Sequence, residues 1–380
     1  MRAALLCLLL SPAALAQNVI NPAHLPPRLQ AMEGSFEEKI LDCTVTPIHP
    51  QLNFSFRIQA GYMVRVPMGQ YRGSGHSWIS LMRITPHEGG GKPVFLGVRT
   101  RLPDVPKTNV EVEVGGGYLL GEGKYNVRWM MLDDQERVCR KDWTVEAKLS
   151  HADRNARVAM SPNTVDAFSL RGSPNAALTR DDKPPFRVTI LLHAAPMSPR
   201  RTRLRVTDQM TLIGSLSALM ERLPARSVRM VAFNLDQQKE LYRSDHFDAG
   251  DIQQVFRAMS TLELDAVDYH TLLNRQGHMD LLAGLVNQEL RAEEPSDAVV
   301  VLGPVTRFVD KLPQSLLEKP PGNLPRFFFF QYKPVFRQQA AIPDTLTVTV
   351  NSLKGKVFTI HTPGEFAKAI DQLEKRATAN

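Results

Sequence analysis

Four arginines form the most concentrated group of chemically active side chains in the sequence. Arg200, Arg201, Arg203 and Arg205 lie within six residues, just beyond an apolar run that is typical of a buried strand. A guanidinium group can hold a carboxylate or a phosphate through two parallel hydrogen bonds. The loop is therefore a candidate contact for an acidic partner. The alternative is an ordinary solvated charged loop, and the residues alone leave both interpretations open.

The recognised motifs of enzymatic chemistry do not occur in the sequence. There is no Gly-x-Ser-x-Gly elbow, no Cys-x-x-Cys pair and no His-Glu-x-x-His helix, and the Gly-Lys at 123–124 lacks the upstream glycine of a phosphate-binding loop. The ten histidines are scattered, and the loop around His76 shows no recognisable acid partner. Asp133 and Asp134 are typical of a turn. We expect a protein that is not an enzyme and binds no cofactor; a hydrolase with unrecognised residues is the weakest alternative.

The amino-terminal residues have the pattern of a secretory signal peptide. Met1-Arg2 is followed by an apolar run at 3–10 and by small residues that end at Ala16, which predicts cleavage after Ala16 and a secreted or periplasmic protein. A short buried helix is the alternative. Cleavage leaves two cysteines, Cys43 and Cys139, and an even number in an exported chain predicts one disulfide. Two separate buried thiols are the other possibility.

Charge and hydropathy exclude several classes of protein. The formal net charge is +7, and loss of Arg2 with the signal peptide lowers it by one. Arginines and lysines do not alternate with aromatic residues, so we expect no nucleic acid as a partner, and an anionic envelope surface suits the charge better. No apolar run reaches the roughly 20 residues of a membrane helix, which predicts no membrane span.

The length of 380 residues favours two folded domains. Changes in composition predict five segments: a signal peptide at 1–16, a linker at 17–33, a β-sandwich at 34–150, a Pro-rich connector at 151–185 and an α/β domain at 186–376. The sandwich is predicted to be antiparallel, because short runs of period two alternate with glycine-rich turns. The predicted strands include 52–58 and 110–114, and Gly115–Gly117 is expected to be a turn.

Buried strands and amphipathic helices alternate in the second predicted domain. Continuous apolar runs predict strands at 186–192, 228–233, 298–302 and 326–331. The run at 239–247 follows too closely for an intervening helix, so it should form a hairpin with its predecessor. A helix is expected at 269–290, and Thr362-Pro363-Gly364-Glu365 is a capping box that opens the last helix. These elements predict a doubly wound, mostly parallel sheet of about six strands with helices on both faces and one antiparallel strand.

The order strand, helix, hairpin, two helices, then three strand–helix pairs resembles the von Willebrand factor A domain. Val228–Asn234 is similar to that family's second strand, and Leu353–Phe358 to its late glycine turn into the last strand. The preceding Gly121–Tyr125 and Asp133-Asp134 resemble the late hairpin of immunoglobulin-like bacterial modules. The resemblance implies a divalent cation at the carboxyl end of the first strand, held by an Asp-x-Ser-x-Ser motif and by a Thr and an Asp from later loops.

This sequence departs from that metal motif. His193, Ala195 and Met197 stand where the aspartate and two serines would be, and Leu302-Gly303-Pro304 replaces Thr-Asp-Gly. Asp268 or Thr271 could supply one oxygen, which is too few for a hard cation. We therefore expect no metal site and an interaction or scaffold protein with an unknown protein or acidic envelope component as partner. The alternative is a cation-dependent adhesion receptor with a displaced site that uses Asp208 or Asp236.

Overall fold

The computed structural model describes residues 18–21, 39–88, 91–168, 186–198, 201–265, 269–318, 324–333 and 343–377. The predicted signal peptide, Arg200 and Asp268 lie outside these ranges, as do most of the linker and part of the connector. The described residues fall into two compact units. The first comprises the described residues up to 52 together with 57–150 and 158–168, and the second comprises 53–56, 151–157 and the described residues from 186 onward.

The first unit consists of two β-sheets. In chain order its described strands are β1 (Asn18–Ile20), β2 (Lys39–Ile40), β3 (Thr44–Leu52), β4 (Ile58–Pro67), β5 (Ser77–Pro86), β6 (Val94–Arg101), β7 (Glu111–Leu120), β8 (Gly123–Asp133), β9 (Arg137–Ala147) and β10 (Val165–Ala167). One sheet has the order β1-β6-β5-β8-β9-β2 and the other β10-β7-β4-β3. All described neighbours are antiparallel except β2, which runs parallel to β9, so the predicted all-antiparallel arrangement fails at that edge.

Aromatic side chains and one disulfide hold the first unit together. The rings of Tyr62 on β4 and Trp129 on β8 lie 5.2 Å apart, and both side chains are buried. A disulfide joins Cys139 on β9 to Cys43, which directly precedes β3, with 6.2 Å between the Cα atoms. This confirms the disulfide predicted from the sequence. It closes a loop with a sequence separation of 96, for which chain entropy gives about 4–5 kcal/mol as an upper figure.

One predicted turn and one predicted strand differ from the structure. Gly115–Gly117 lies inside β7 and pairs with β4. The reason is close backbone approach, since a Cβ on Gly61 would lie 2.5 Å from the Gly116 carbonyl oxygen. The strand predicted at 52–58 is also wrong, because the backbone turns at 53–57, where the Asn53 side chain accepts a hydrogen bond from the Ser55 N–H at 3.0 Å.

The second unit is built on a mixed six-stranded sheet, as predicted. Its strands are β11 (Phe186–His193), β12 (Ala225–Asn234), β13 (Lys239–Ser244), β14 (Ala298–Pro304), β15 (Arg326–Tyr332) and β16 (Lys356–Ile360). The order is β13-β12-β11-β14-β15-β16. Neighbouring strands are parallel except at the β12–β13 hairpin.

Helices pack on both faces of this sheet. They are α1 (Val206–Arg222), α2 (Ile252–Ser260), α3 (Tyr269–Leu273), α4 (Gly277–Leu290), α5 (Thr345–Ser352) and α6 (Pro363–Ala377). Leu285 of α4 and Val350 of α5 share a buried cluster with Phe329 of β15. On the opposite face, Phe366 of α6 packs against Phe330 with ring centroids 5.8 Å apart. The predicted capping box of α6 is confirmed, because the Thr362 hydroxyl accepts from the Glu365 N–H at 3.2 Å.

Two helix predictions differ from the structure. The helix expected at 269–290 is divided into α3 and α4, and the Gln238 side chain donates to the Asn274 carbonyl oxygen in the break at 2.8 Å. A helix was also predicted between β14 and β15, but the described residues there form only a single 3₁₀ turn at Gln314–Leu316. Pro304 and Pro313 disfavour a longer helix in this stretch. No described helix combines the length and apolar character needed to cross a membrane.

Candidate functional site

The carboxyl ends of the parallel strands form the candidate site. In the sheet, β11 lies between β12 and β14, so the strands that follow β11 in the sequence are placed on both of its sides. In sheets of this kind, ligands commonly bind at the point where the strand order diverges. His193 ends β11 and Gly303-Pro304 ends β14, so the sequence-predicted motif positions do meet at this point.

His193 is a core residue at this point. Its side chain is 1% exposed, and its ring lies 5.3 Å from the ring of Phe233. Nδ1 donates a long hydrogen bond of 3.4 Å to the Pro304 carbonyl oxygen, and Nε2 has no partner among the described residues. Burial lowers the pKa of His193, against the opposing field of Asp236 and Asp344. The imidazole is therefore neutral near pH 7.

Gly303 closes the space beside His193. A Cβ at Gly303 would lie 2.7 Å from the His193 carbonyl oxygen and 2.8 Å from its Cβ, distances that real side chains do not tolerate. Ala195, which occupies the first serine position of the resembled motif, is buried, and Met197 at the second is half-buried. The end of β11 is therefore closely packed at His193 and Ala195.

Hydrogen bonds and an ion pair tie the surrounding loops together. The Asn234 side chain donates to the Ala194 carbonyl oxygen at 2.7 Å and accepts from the Gln237 N–H at 2.8 Å. Asp236 on the loop that follows β12 lies 2.6 Å from the guanidinium of Arg307 on the loop that follows β14. The Asp236 carboxylate is thus paired with a cation of the protein itself.

Asp344 is the most thoroughly bonded carboxylate of this edge. One oxygen accepts from the Thr306 N–H at 2.8 Å. The other accepts from the Thr347 N–H at 3.2 Å and from the Gln331 amide at 3.3 Å. It caps α5 and fastens that helix to β15 and to the loop after β14. Asp344 is not among the residues predicted from the sequence, although an aspartate directly before a helix is a known start signal.

Of the other predicted oxygen ligands, the structure describes Asp208 and Thr271. Asp208 is buried and accepts from the Arg205 backbone N–H at 3.0 Å at the start of α1. The Thr271 carbonyl oxygen accepts from Gln238 at 3.4 Å, and Asp268 lies outside the described residues. In the part of the chain that the structure describes, no three His, Cys, Asp or Glu side chains are grouped as metal ligands would be.

Three of the four predicted binding arginines can be placed. Arg201, Arg203 and Arg205 are exposed on the loop between β11 and α1. Arg203 pairs with Asp265 at 2.8 Å and holds the pKa of that carboxyl below its usual range. Within the described ranges, Arg201 and Arg205 have no ion-pair partner.

His76 in the first unit has an acid partner that the sequence did not reveal. Its Nδ1 lies 3.0 Å from an Asp134 carboxylate oxygen, and its Nε2 lies 2.9 Å from the Arg72 carbonyl oxygen. Both contacts raise the pKa of His76, the carbonyl contact most. Both ring nitrogens are therefore bonded within the protein. Asp134 is 58 residues away in the sequence, so local spacing gave no signal.

Comparisons with known proteins do not assign this chain to a family. Neither a protein-family model nor a curated protein matches it. Among solved structures, the ApaA protein from Bordetella pertussis is 19% identical and covers 30% of this chain and 99% of its own, with a TM-score of 0.20. A superoxide reductase (neelaredoxin) from Ignicoccus hospitalis is 16% identical and covers 30% of this chain and 83% of its own, with a TM-score of 0.20.

A larger enzyme covers more of this chain, but its TM-score is no higher. The Bacteroides uniformis β-glucuronidase 2 is 8% identical and covers 76% of this chain and 36% of its own, with a TM-score of 0.18. Likenesses at these TM-scores support no conclusion about fold, activity or substrate. The residues of the chain itself must therefore carry the functional argument.

Proposed function

We propose that this chain is an exported, non-enzymatic interaction or scaffold protein whose second unit is a von Willebrand A-like domain that operates without a divalent cation. The sheet order β13-β12-β11-β14-β15-β16, with only β13 antiparallel, supports the doubly wound interpretation. Helices on both faces suit it as well. The first unit would be the immunoglobulin-like sandwich of such a protein.

The state of His193 is the observation that carries the proposal. In a cation-dependent domain of the resembled family, this position is an aspartate that faces an open edge. Here it is a neutral, almost fully buried imidazole against which Gly303 packs. The acids around it, Asp236 and Asp344, are engaged by Arg307 and by backbone and side-chain donors. A hard cation needs several free oxygen ligands, and these two carboxylates already bind donors of the protein itself.

Export is supported by the disulfide and by the amino-terminal sequence pattern. Stable disulfides are rare in reducing compartments, and in the first unit Cys139 on β9 is bonded to Cys43, which directly precedes β3. The positive net charge suits a partner or surface that is anionic.

The arginine loop is the proposed contact with that partner. Arg201 and Arg205 are exposed at the carboxyl side of the sheet and can bind carboxylates or phosphates by two hydrogen bonds each. Arg203, already paired with Asp265, would mainly hold the loop in place. Contacts of this kind weaken with salt because the charges are exposed.

A capture experiment from the native cell envelope tests the proposal. The full chain is used as bait with and without a metal chelator, beside a variant in which Arg200, Arg201, Arg203 and Arg205 are changed to alanine. The matched control changes four other exposed cations of the second unit, Arg257, Arg275, Arg291 and Lys354, to alanine. We expect the same salt-sensitive partner with and without chelator, lost only in the loop variant.

Two results would contradict the proposal. Capture that requires free magnesium or calcium would favour the adhesion-type alternative with a displaced ion. Equal capture by the loop variant and the control variant would exclude the arginine loop as the contact.

A further inference from the structure

A short loop at residues 72–76 joins two fixed points of the first unit. Tyr71, directly before the loop, is buried, and its hydroxyl donates a hydrogen bond of 3.1 Å to an Asp133 carboxylate oxygen. Trp78 on β5, just after the loop, is also buried and donates from Nε1 to the Tyr71 hydroxyl at 2.9 Å. Arg137 donates from Nε to the same Asp133 oxygen at 2.8 Å. This network anchors both ends of the loop.

Glycines and backbone hydrogen bonds set the path of the loop. Gly73 and Gly75 have φ values of +80° and +93°, a left-handed region that glycine adopts without steric cost. Gly73 exchanges two backbone hydrogen bonds of 2.9 Å with Val105, on the segment that follows β6. Among the described residues, a Cβ on either glycine would meet nothing within 4 Å, and both glycines are exposed. The loop therefore has fixed ends and an open middle.

Both ring nitrogens of His76 face oxygen atoms that accept hydrogen bonds. Nδ1 lies 3.0 Å from an Asp134 carboxylate oxygen, and Nε2 lies 2.9 Å from the Arg72 carbonyl oxygen. A neutral imidazole carries one N–H and one lone pair, so it can donate to one of these oxygens while its lone pair faces the other. The imidazolium carries an N–H on each nitrogen and satisfies both oxygens. The geometry of the closed loop therefore requires the charged form of His76.

Asp134 is an anion and therefore an acceptor. Besides facing His76, its carboxylate accepts a hydrogen bond of 3.3 Å from the Ser77 N–H. Burial opposes the charged form of this carboxyl, but the hydrogen bonds from His76 and Ser77 outweigh burial and lower the pKa of Asp134. At neutral pH, the oxygen beside Nδ1 thus needs an N–H from the ring.

The other groups around the ring leave the imidazolium favoured. The Arg72 carbonyl and then the Asp134 carboxylate raise the pKa of His76 most, and the field of Asp133 acts in the same direction. The Tyr71 ring lies edge-on to the imidazole with centroids 5.1 Å apart, and burial raises the pKa of its phenol, which stays neutral. The remaining charged side chains of residues 72–76, 101–105 and 134–137 are Arg72, Arg101, Asp104, Glu136 and Arg137. The last of these is bonded to Asp133, and the other four are exposed, so solvent screens them.

We propose that His76 is a proton-operated latch: its imidazolium holds the 72–76 loop closed, and loss of one proton releases the Arg72 carbonyl and opens the loop. The Nδ1–Asp134 hydrogen bond joins a donor to an anion, so it is the stronger of the two and persists in the neutral ring. The Nε2 lone pair then faces the Arg72 carbonyl oxygen, and the loop moves away from it. The latch belongs to the first unit and is independent of the function proposed for the second.

The pH dependence of the latch has a defined sign. Because the folded pKa of His76 lies above the unfolded value of about 6.5, the latch is closed below that pH. It opens as pH rises through the folded pKa. Acid thus closes this loop, whereas protonation of a histidine buried among apolar groups disfavours its folded environment.

Chemical shifts of the ring nitrogens measure the protonation state directly. In the full chain with ¹⁵N-labelled histidine, the His76 signals are assigned by their loss in His76→Gln. Both nitrogens should show N–H shifts at about pH 6, and Nε2 should move towards the lone-pair shift with a midpoint above about 6.5. A midpoint at or below about 6.5, or movement of Nδ1 instead, would overturn the proposal.

Trypsin measures the opening of the loop, because the Arg72–Gly73 bond lies within it. Cleavage of this bond in the native full chain is followed by intact-mass spectrometry and divided by the rate on a small peptide substrate at the same pH. Below the folded pKa this ratio should rise about tenfold per pH unit, because the neutral fraction of His76 rises by that factor and cleavage follows the open population. A ratio that does not change with pH would overturn the proposal.

Three variants separate the latch from general effects of pH. Asp134→Asn should keep the loop closed at every pH, because the new amide donates to Nδ1 of the neutral ring and leaves the Nε2 N–H to the Arg72 carbonyl. His76→Gln has one amide in place of two ring nitrogens and should be cleaved at the open-state rate at every pH. The control His87→Gln changes an exposed histidine of the same unit and should keep the wild-type response. A wild-type response in either of the first two variants, or its loss in the control, would overturn the proposal.

Discussion

Replacing Gly303 by alanine tests the packing that fills the end of β11. The new Cβ would lie 2.7 Å from the His193 carbonyl oxygen and 2.8 Å from its Cβ, and one of these atoms is backbone and cannot rotate away. Overpacking of this kind costs about 1–3 kcal/mol. A central value of about 2 kcal/mol lowers the Tm of a unit of this size by about 4–8 °C.

The two units can be monitored separately in urea or thermal unfolding. The three tryptophans, Trp78, Trp129 and Trp143, all lie in the first unit, whereas the described α-helices all lie in the second. Circular dichroism at 222 nm should therefore report the loss in Gly303→Ala. The matched control is Gly284→Ala in the exposed face of α4, where a Cβ meets nothing within 4 Å and alanine should stabilise the helix by about 1 kcal/mol. A Gly303→Ala protein as stable as the wild type would refute the close packing of β14 on His193.

Three further predictions concern the two units. Changing Cys43 and Cys139 to serine should lower the tryptophan-detected unfolding free energy by up to about 4–5 kcal/mol; no change would show that the bridge does not restrain the unfolded chain. The contacts of His76 raise its pKa, so they stabilise the first unit fully below the unfolded pKa of about 6.5, and this stabilisation is lost as pH rises through the folded pKa. His76→Gln should remove this pH dependence of the unfolding free energy measured by tryptophan fluorescence. A pH profile equal to that of the wild type would contradict the prediction. The lowered pKa of His193 has the opposite effect, so the second unit should lose stability as pH falls below about 6.5. In His193→Leu, the unfolding free energy measured by circular dichroism should fall less over this pH range. A fall equal to that of the wild type would contradict the prediction.

Local sequence was sufficient to predict the strands that are buried along nearly their whole length. Ala298–Leu302 and Arg326–Gln331 are continuous apolar runs, and both form central strands covered on two faces. The capping box at Thr362 was equally predictable, because its partners lie within three residues. The sequence has three cysteines, and the predicted cleavage after Ala16 leaves Cys43 and Cys139, which was enough to predict the disulfide.

Features that depend on distant partners were not predictable. Gly115–Gly117 looks like a turn until β4 is placed beside it, where a glycine backbone permits close pairing. His76 lacked an acid in its own loop, and only the pairing of β5 with β8 brings Asp134 to it. At the candidate site the sequence drew attention to His193 and Gly303, but it did not predict that Gly303 packs on His193. That contact joins residues 110 positions apart and follows from the parallel register of β11 and β14.

Isothermal titration of the folded full chain with magnesium and with manganese tests the central claim most directly. We predict no saturable binding in the micromolar range, because His193 is buried, Gly303 packs against it, and Asp236 and Asp344 are engaged by other groups. A micromolar, stoichiometric isotherm that is lost in Asp236→Asn or Asp208→Asn would contradict the account and establish a displaced cation site.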